Sequence, residues 1–467
     1  MVFSSLVFLY FFLPIVMILY FVLPMKAKNL LILVTGLFFY AWGEPKYIII
    51  MIISTLIDYT AGRFIDHFDK KPKIRTVFLL VSVVMNLGLL AVFKYSSFLI
   101  TTVNSIFGTA IPDPHLPLPI GISFYTFQSM SYTIDLYMRK IKVQKSLISF
   151  TSYVTLFPQI VAGPIVRYED VAAEIDNRVI SVSKVSEGIG KFMKGLAKKV
   201  LLANNIGLIW TQVKAMDFGE LSALTAWLGI LAFTFQIYFD FSGYSDMAIG
   251  LGKMLGFNFP INFDHPYMSK SISEFWRRWH ITLGSWFRSY VYIPLGGNRK
   301  GLARTIFNSF VVWALTGLWH GSSWNFVLWG LYFGVLIAIE RLGWGKILEK
   351  LPSFVSTLYT FILVVFGWVL FDTNTLTDAG MFFKAMFGGN GVAVDNTALY
   401  LLVSNIVIFA VCIFASTDYF TALTNKIGEK KAAVIKYAAP VAQICLLFIC
   451  TAYLVDATYN PFLYFRF

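Results

Sequence analysis

VFSSLVFLYFFLPIVMILYFVLP, residues 2–24, contains no charged side chain. A helix needs about 20 mostly apolar residues to cross the hydrocarbon core of a bilayer, so this stretch reads as a membrane span. No basic residue precedes it, and it is longer than the apolar core of a secretory signal. It is therefore expected to stay in place as the first span. Working outward, twelve more apolar stretches follow, at 29–43, 46–65, 76–95, 118–138, 147–165, 200–215, 221–241, 303–319, 323–342, 352–371, 397–417 and 433–455. The pattern predicts an all-α, polytopic bundle of about 11–13 membrane segments. The stretch 147–165 ends in Phe157-Pro158-Gln159 and Ala162-Gly163-Pro164. Non-helical backbone survives at membrane depth only when protein surrounds it or it lines a cavity, so this stretch is expected to be re-entrant.

Composition agrees. Of 467 residues, 57% are hydrophobic and 13% charged, about half the charge of a soluble domain. The net charge is +13, but the cations fall mostly between apolar stretches. Examples are Lys26 and Lys28; Lys70, Lys71, Lys73 and Arg75; Arg139, Lys140, Lys142 and Lys145; Lys198 and Lys199; Lys346 and Lys350; and Lys426, Lys430 and Lys431. That is the signature of cytoplasmic loops, with the N-terminus outside, and it argues against nucleic acid as a partner. Anionic lipid headgroups or an acidic carrier protein would be attracted secondarily. Segment 185–202 sets Ile189, Phe192, Met193, Leu196 and Val200 against Lys191, Lys194, Lys198 and Lys199. It reads either as an interfacial helix or as an extension of the next span. Cys412, Cys445 and Cys450 lie in apolar stretches without ligand spacing, so they are expected to be buried, and neither disulfide nor metal is inferred. The hydrophilic stretches 166–188 and 372–396 are too short for a core of their own. The chain is read as a single integral membrane domain, 1–467.

Polar residues concentrate in 264–300. Ser271 and Glu274 have capping-box spacing, which predicts a helix running through Trp276, Arg277, Arg278, Trp279 and His280 to Gly284. Trp276 and His280 would then share a face. A second cluster, Thr316-Gly317-Leu318-Trp319-His320-Gly321, lies between two apolar runs. Intramembrane ionisable groups face the bundle interior, and histidine is the natural general base near neutral pH. His280 and His320 are therefore the candidate chemistry. His67, in a basic loop, and His115, among prolines, are expected in solvent. A third cluster, Gln236 to Asp246, closes an apolar run with Asp240 and Asp246. Arg277, Arg278 or Arg288 could pair with these carboxylates, and a structural role is favoured over a wall of the site. There is no nucleophile elbow around Ser123 or Ser245, and no Walker or dinucleotide loop.

These residues also resemble a known family. Trp276-Arg277-Arg278-Trp279-His280-Ile281-Thr282-Leu283, Trp286-Phe287-Arg288, Tyr292-Ile293-Pro294-Leu295-Gly296-Gly297-Asn298-Arg299 and Leu318-Trp319-His320-Gly321 are similar to motifs of the membrane-bound O-acyltransferase family. The nearest branch is that of the bacterial alginate and polysaccharide O-acetyltransferases. Gly121 to Gln128, Phe157 to Pro164, Asp240 to Asp246 and the aromatic end Pro461 to Phe465 extend the likeness to nearly the whole chain.

The resemblance implies a helical bundle around a tunnel, with His320 catalytic at its narrow centre and His280 the second active-site histidine. Trp276, Arg277, Trp279, Trp319, Asp240, Asp246 and Gln128 are expected to line substrate or tunnel. It implies acyl transfer from a cytoplasmic thioester, acetyl-CoA or an acylated carrier protein, with no bound cofactor. The acyl group would pass toward an extracytoplasmic SGNH-type partner and a polysaccharide hydroxyl, at a bacterial inner membrane. In this reading His320 is the general base and His280 positions or polarises the thioester. Two alternatives stand beside it: D-alanyl transfer to teichoic acid, and a transporter of lipid-linked sugars.

Overall fold

The computed structural model describes residues 1–419, 429–456 and 463, with the backbone path alone for 429–437. The chain is helical almost throughout. Among the described residues the only β feature is one isolated antiparallel bridge, Phe263 with Trp279. In order, the helices are α1 (Leu13–Val22, entered through a wider turn at Phe8–Phe12), α2 (Met25–Ala41), α3 (Ile48–His67), α4 (Pro72–Phe107), α5 (Ile122–Tyr137), α6 (Leu147–Val154), α7 (Tyr168–Asn177), α8 (Val182–Ala197) and α9 (Asn204–Lys214). There follow α10 (Ala223–Met254), α11 (Ile272–Arg278), α12 (Ile281–Phe287), α13 (Leu302–His320), α14 (Trp324–Ile339), α15 (Gly345–Leu348), α16 (Ser353–Asp372), α17 (Leu376–Met386), α18 (Asn396–Ala415) and α19 (Glu429–Asp456).

Each of the thirteen apolar stretches falls on a helix. Among the described residues, seven helices are long and apolar enough to cross a membrane: α3, α4, α10, Trp324–Leu348, α16, α18 and Ala438–Asp456. That is fewer than the expected 11–13, and α5 shows why. Ser123, Thr126, Gln128, Ser129, Ser131, Thr133 and Asp135 are all buried, so this helix meets protein rather than lipid and need not be continuously apolar. The stretch 147–165 is helical only in its first part. Helix α6 stops at Val154, and non-helical backbone from Thr155 to Val166 is buried throughout.

Contacts group the described residues into two compact units, one of 1–192 with 244–261, the other of 193–243 with the described residues from 262 onward. In the first unit, Asp58 of α3 accepts hydrogen bonds from Ser82 (2.5 Å) and Asn86 (2.7 Å) of α4, which ties these helices at a fully buried carboxyl. In the second unit, α13 and α14 cross closely at glycines. A Cβ on Gly317 would lie 2.3 Å from the Phe326 carbonyl oxygen, and one on Gly330 2.4 Å from that of Trp313. No larger residue fits without moving backbone.

Several readings of the cations change. Lys28, Arg75 and Lys199 are buried inside helices rather than free in loops. The helices start before the hydropathy rises, and these side chains bond protein groups. Lys28 donates to the Tyr20 carbonyl, and Arg75 to the Tyr137 carbonyl at 3.0 Å. Segment 185–202 is the continuation of a helical run reaching through α9, which is the extension reading. Cys412 and Cys450 are buried, but Cys445 is exposed. Lys426 lies outside the described residues, as does the aromatic end apart from Leu463, and nothing is described of the Lys430 and Lys431 side chains.

Candidate active site

Both histidines belong to the second unit. The first stands at a break. Helix α11 begins as expected, with Ser271 Oγ accepting from the Glu274 amide at 3.0 Å. Its first turn is also capped from another helix: the Glu340 carboxylate accepts from the amides of Ile272 (2.6 Å) and Ser273 (2.9 Å). These are amides a helix leaves without internal partners. The helix then ends at Arg278, short of Gly284. Trp279 is extended, and His280 takes a left-handed conformation (φ 45°, ψ 53°) that starts α12. So Trp276 and His280 do not share a helical face.

The reason for the break is tertiary. Residues 262–264 run beside 278–281: the Asp264 amide donates to the Arg278 carbonyl and the Ile281 amide to the Asn262 carbonyl, each at 3.0 Å. These bonds replace the helical ones and hold a conformation that costs a non-glycine residue roughly 1–2 kcal/mol.

His280 is 2% exposed. Its Nδ1 lies 3.1 Å from Asn262 Oδ1. Phe241 meets its ring edge-on at 4.7 Å, and Trp319 does so at 5.8 Å. It lies outside the seven membrane-length helices. Burial pushes its pKa down to about 3, so the imidazole is neutral at physiological pH.

His320 is the last residue of α13 and also 2% exposed. Its walls are aromatic: Trp319 at 4.9 Å, Trp329 at 5.0 Å and Phe371 at 5.4 Å. Trp319 therefore contacts both histidines. The structure brings the two together around one indole, although forty residues of chain separate them.

The other candidates have partners of their own. Trp279 is buried against Phe263 (5.0 Å) and Trp368 (5.0 Å). Trp276 packs on Trp313 (4.7 Å) and Phe333 (4.9 Å). Arg277 is exposed and borders a cleft of about 360 Å³ with Lys270, Glu274, Glu340 and Arg341. Asp240 pairs with Lys199 at 2.6 Å and accepts the Leu463 amide at 2.9 Å. In the first unit, Asp246 pairs with Lys191 at 2.7 Å. The expected pairing with Arg277, Arg278 or Arg288 does not form; Arg278 bonds Glu274 instead, at 2.8 Å. Gln128, also in the first unit, is fully buried in α5. His67 and His115 are exposed as expected.

The sequence reading missed Asn262, Lys199, Glu340, Phe241, Trp329 and Phe371. An asparagine between Ile261 and Phe263 hints at a buried amide, but nothing local names its partner.

The family model of membrane-bound O-acyltransferases matches residues 53–371. The chain belongs to the membrane-bound O-acyltransferase family. It is thus a multi-pass membrane protein and an O-acyltransferase. It is 39% identical, over the whole of both chains, to a probable alginate O-acetylase (AlgI) of Pseudomonas putida. It is 30% identical to the peptidoglycan O-acetyltransferase of Helicobacter pylori, across 100% of this chain and 98% of the relative. A teichoic acid D-alanyltransferase of Bacillus subtilis is 27% identical, over 56% of this chain and 71% of its own. The O-acyltransferase reading of the His280 and His320 motifs accords with these likenesses.

Proposed function

We propose that this O-acyltransferase takes an acetyl group from a cytoplasmic thioester, acetyl-CoA or an acylated carrier protein. It passes the group across the bacterial inner membrane toward an extracytoplasmic SGNH-type partner, which sets it on a polysaccharide hydroxyl. The observation that carries the reading is the pair of buried histidines on one indole. His320 would be the general base. It takes the proton from an acceptor hydroxyl as that oxygen attacks the thioester carbonyl; the C–S bond breaks, and the departing thiolate takes up a proton. Aromatic walls around His320 exclude water, which would otherwise compete as acceptor. His280, which also meets Trp319, takes the helper role. Full-length likeness to O-acetyltransferases, against partial likeness to a D-alanyltransferase, favours acetyl over D-alanyl.

The test is the ester content of the cell-surface polymer in a strain carrying His320→Ala. The expected result is no O-acetylation with normal amounts of membrane-inserted protein. Retained O-acetylation would overturn the role of His320, and D-alanyl esters lost in its place would move the substrate to the D-alanyl branch.

A further inference from the structure

We infer that Asn262 is a positioning residue: it fixes the proton of His280 on Nδ1 and leaves Nε2 as a hydrogen-bond acceptor. The inference rests on the reading of His280 as part of the active site. Three donors converge on the Asn262 side-chain oxygen. They are the Thr282 amide at 3.3 Å, the Thr282 hydroxyl at 2.9 Å and His280 Nδ1 at 3.1 Å. An asparagine's oxygen and nitrogen are assigned from their partners, and here one partner decides. A backbone amide can only donate, so the Asn262 atom facing it is the oxygen. Nδ1 of His280, on the same oxygen, must then carry the proton. Since a buried imidazole with its pKa near 3 holds one proton at neutral pH, Nε2 carries the lone pair.

The surroundings keep this arrangement from relaxing. Asn262 is 1% exposed, and its carbonyl accepts the Ile281 amide at 3.0 Å. One residue thus holds the backbone after His280 and the His280 ring. The ring is boxed between Phe241 and Trp319.

The consequence alters the helper's chemistry. A group that polarises a thioester carbonyl must donate a hydrogen bond to its oxygen. With the proton held on Nδ1, His280 Nε2 cannot. It accepts instead, and so orients an O–H or N–H of the bound substrate.

The chain has five histidines. Nitrogen NMR of ¹⁵N-histidine-labelled protein, with the His280 signals assigned by loss in His280→Gln, reads the protonated nitrogen directly. The expected result is a protonated Nδ1 and an unprotonated Nε2 in the wild type. Asn262→Ala should move the proton population toward Nε2. Asn262→Asp, which keeps an accepting oxygen, should leave it on Nδ1. Polymer O-acetylation should fall about 10- to 100-fold in Asn262→Ala, as when the partner that orients a metal-bound histidine is removed, and should be largely retained in Asn262→Asp. A wild-type spectrum with the proton on Nε2 overturns the inference, whether or not the variants fold. So does an Asn262→Ala protein with an unchanged tautomer. If His280→Gln leaves O-acetylation intact while the spectra follow expectation, the catalytic reading of His280 fails and the tautomer assignment stands.

Discussion

His280 and His320 are equally buried and both meet Trp319, but the backbone that carries them differs. His320 closes a regular helix and stands among rings, Trp319, Trp329 and Phe371. His280 interrupts helical structure and is held by polar bonds from Asn262, in a left-handed conformation. The bond to Asn262 bears on the protonation of His280 as well as on its position. This difference matches a division of labour in which His320 moves a proton and His280 orients a partner.

The largest effect should come from His320→Ala, because general-base catalysis contributes roughly 10²–10⁴-fold. Equal losses from both histidines would break the comparison. The measure is the rate of polymer O-acetylation, normalised to inserted protein.

Next comes Lys199→Met. It strands the Asp240 carboxylate, whose ion pair is almost wholly buried at 2.6 Å. Removing one partner of such a pair costs roughly 3–5 kcal/mol. The readout is thermal unfolding in detergent, and adding Asp240→Asn should recover most of the loss. Because Phe241 follows Asp240 and touches His280, this change should disturb the His280 side first.

His280→Gln should lower O-acetylation by about 10- to 100-fold, the range for orienting partners. A loss as deep as that of His320→Ala would make the two histidines equals. The smallest effect is expected from Glu340→Ala, which removes the carboxylate from the two leading amides of α11. Loss of a cap costs about 0.5–2 kcal/mol. It should lower the melting temperature slightly, with no change in the acetyl-transfer rate per folded molecule.

How far this arrangement can be read from sequence depends on how local its causes are. Apolar stretches mark helices because lipid and protein interiors both demand internally satisfied backbone, so each of the thirteen lands on one. The count of true spans is harder to read, since a helix such as α5 serves the interior with a polar surface. The histidine motifs stand out because ionisable residues in an apolar chain are rare and costly. The end of α11 at Arg278 does not stand out. Ser271, Glu274 and the residues that follow satisfy every local rule for a longer helix, and the competing bonds come from residues 262–264. The ion pairs mislead for the same reason: arginines close in sequence look available to Asp240 and Asp246, whereas Lys199 and Lys191 of the preceding helical run supply the pairs.

The short bridge of Phe263 with Trp279 has a consequence for how such chains can diverge. Its flanking bonds, Asp264 to Arg278 and Ile281 to Asn262, count residues in register on both sides. Side chains alternate in direction along extended backbone, so a slip of one residue turns each to the opposite side. A single-residue deletion between Arg278 and Ile281 would therefore break this register and carry the imidazole off Asn262. Related chains should vary in length elsewhere, for instance within 388–395 before α18, and keep a gap-free alignment from Asn262 to Asp264 and from Arg278 to Thr282.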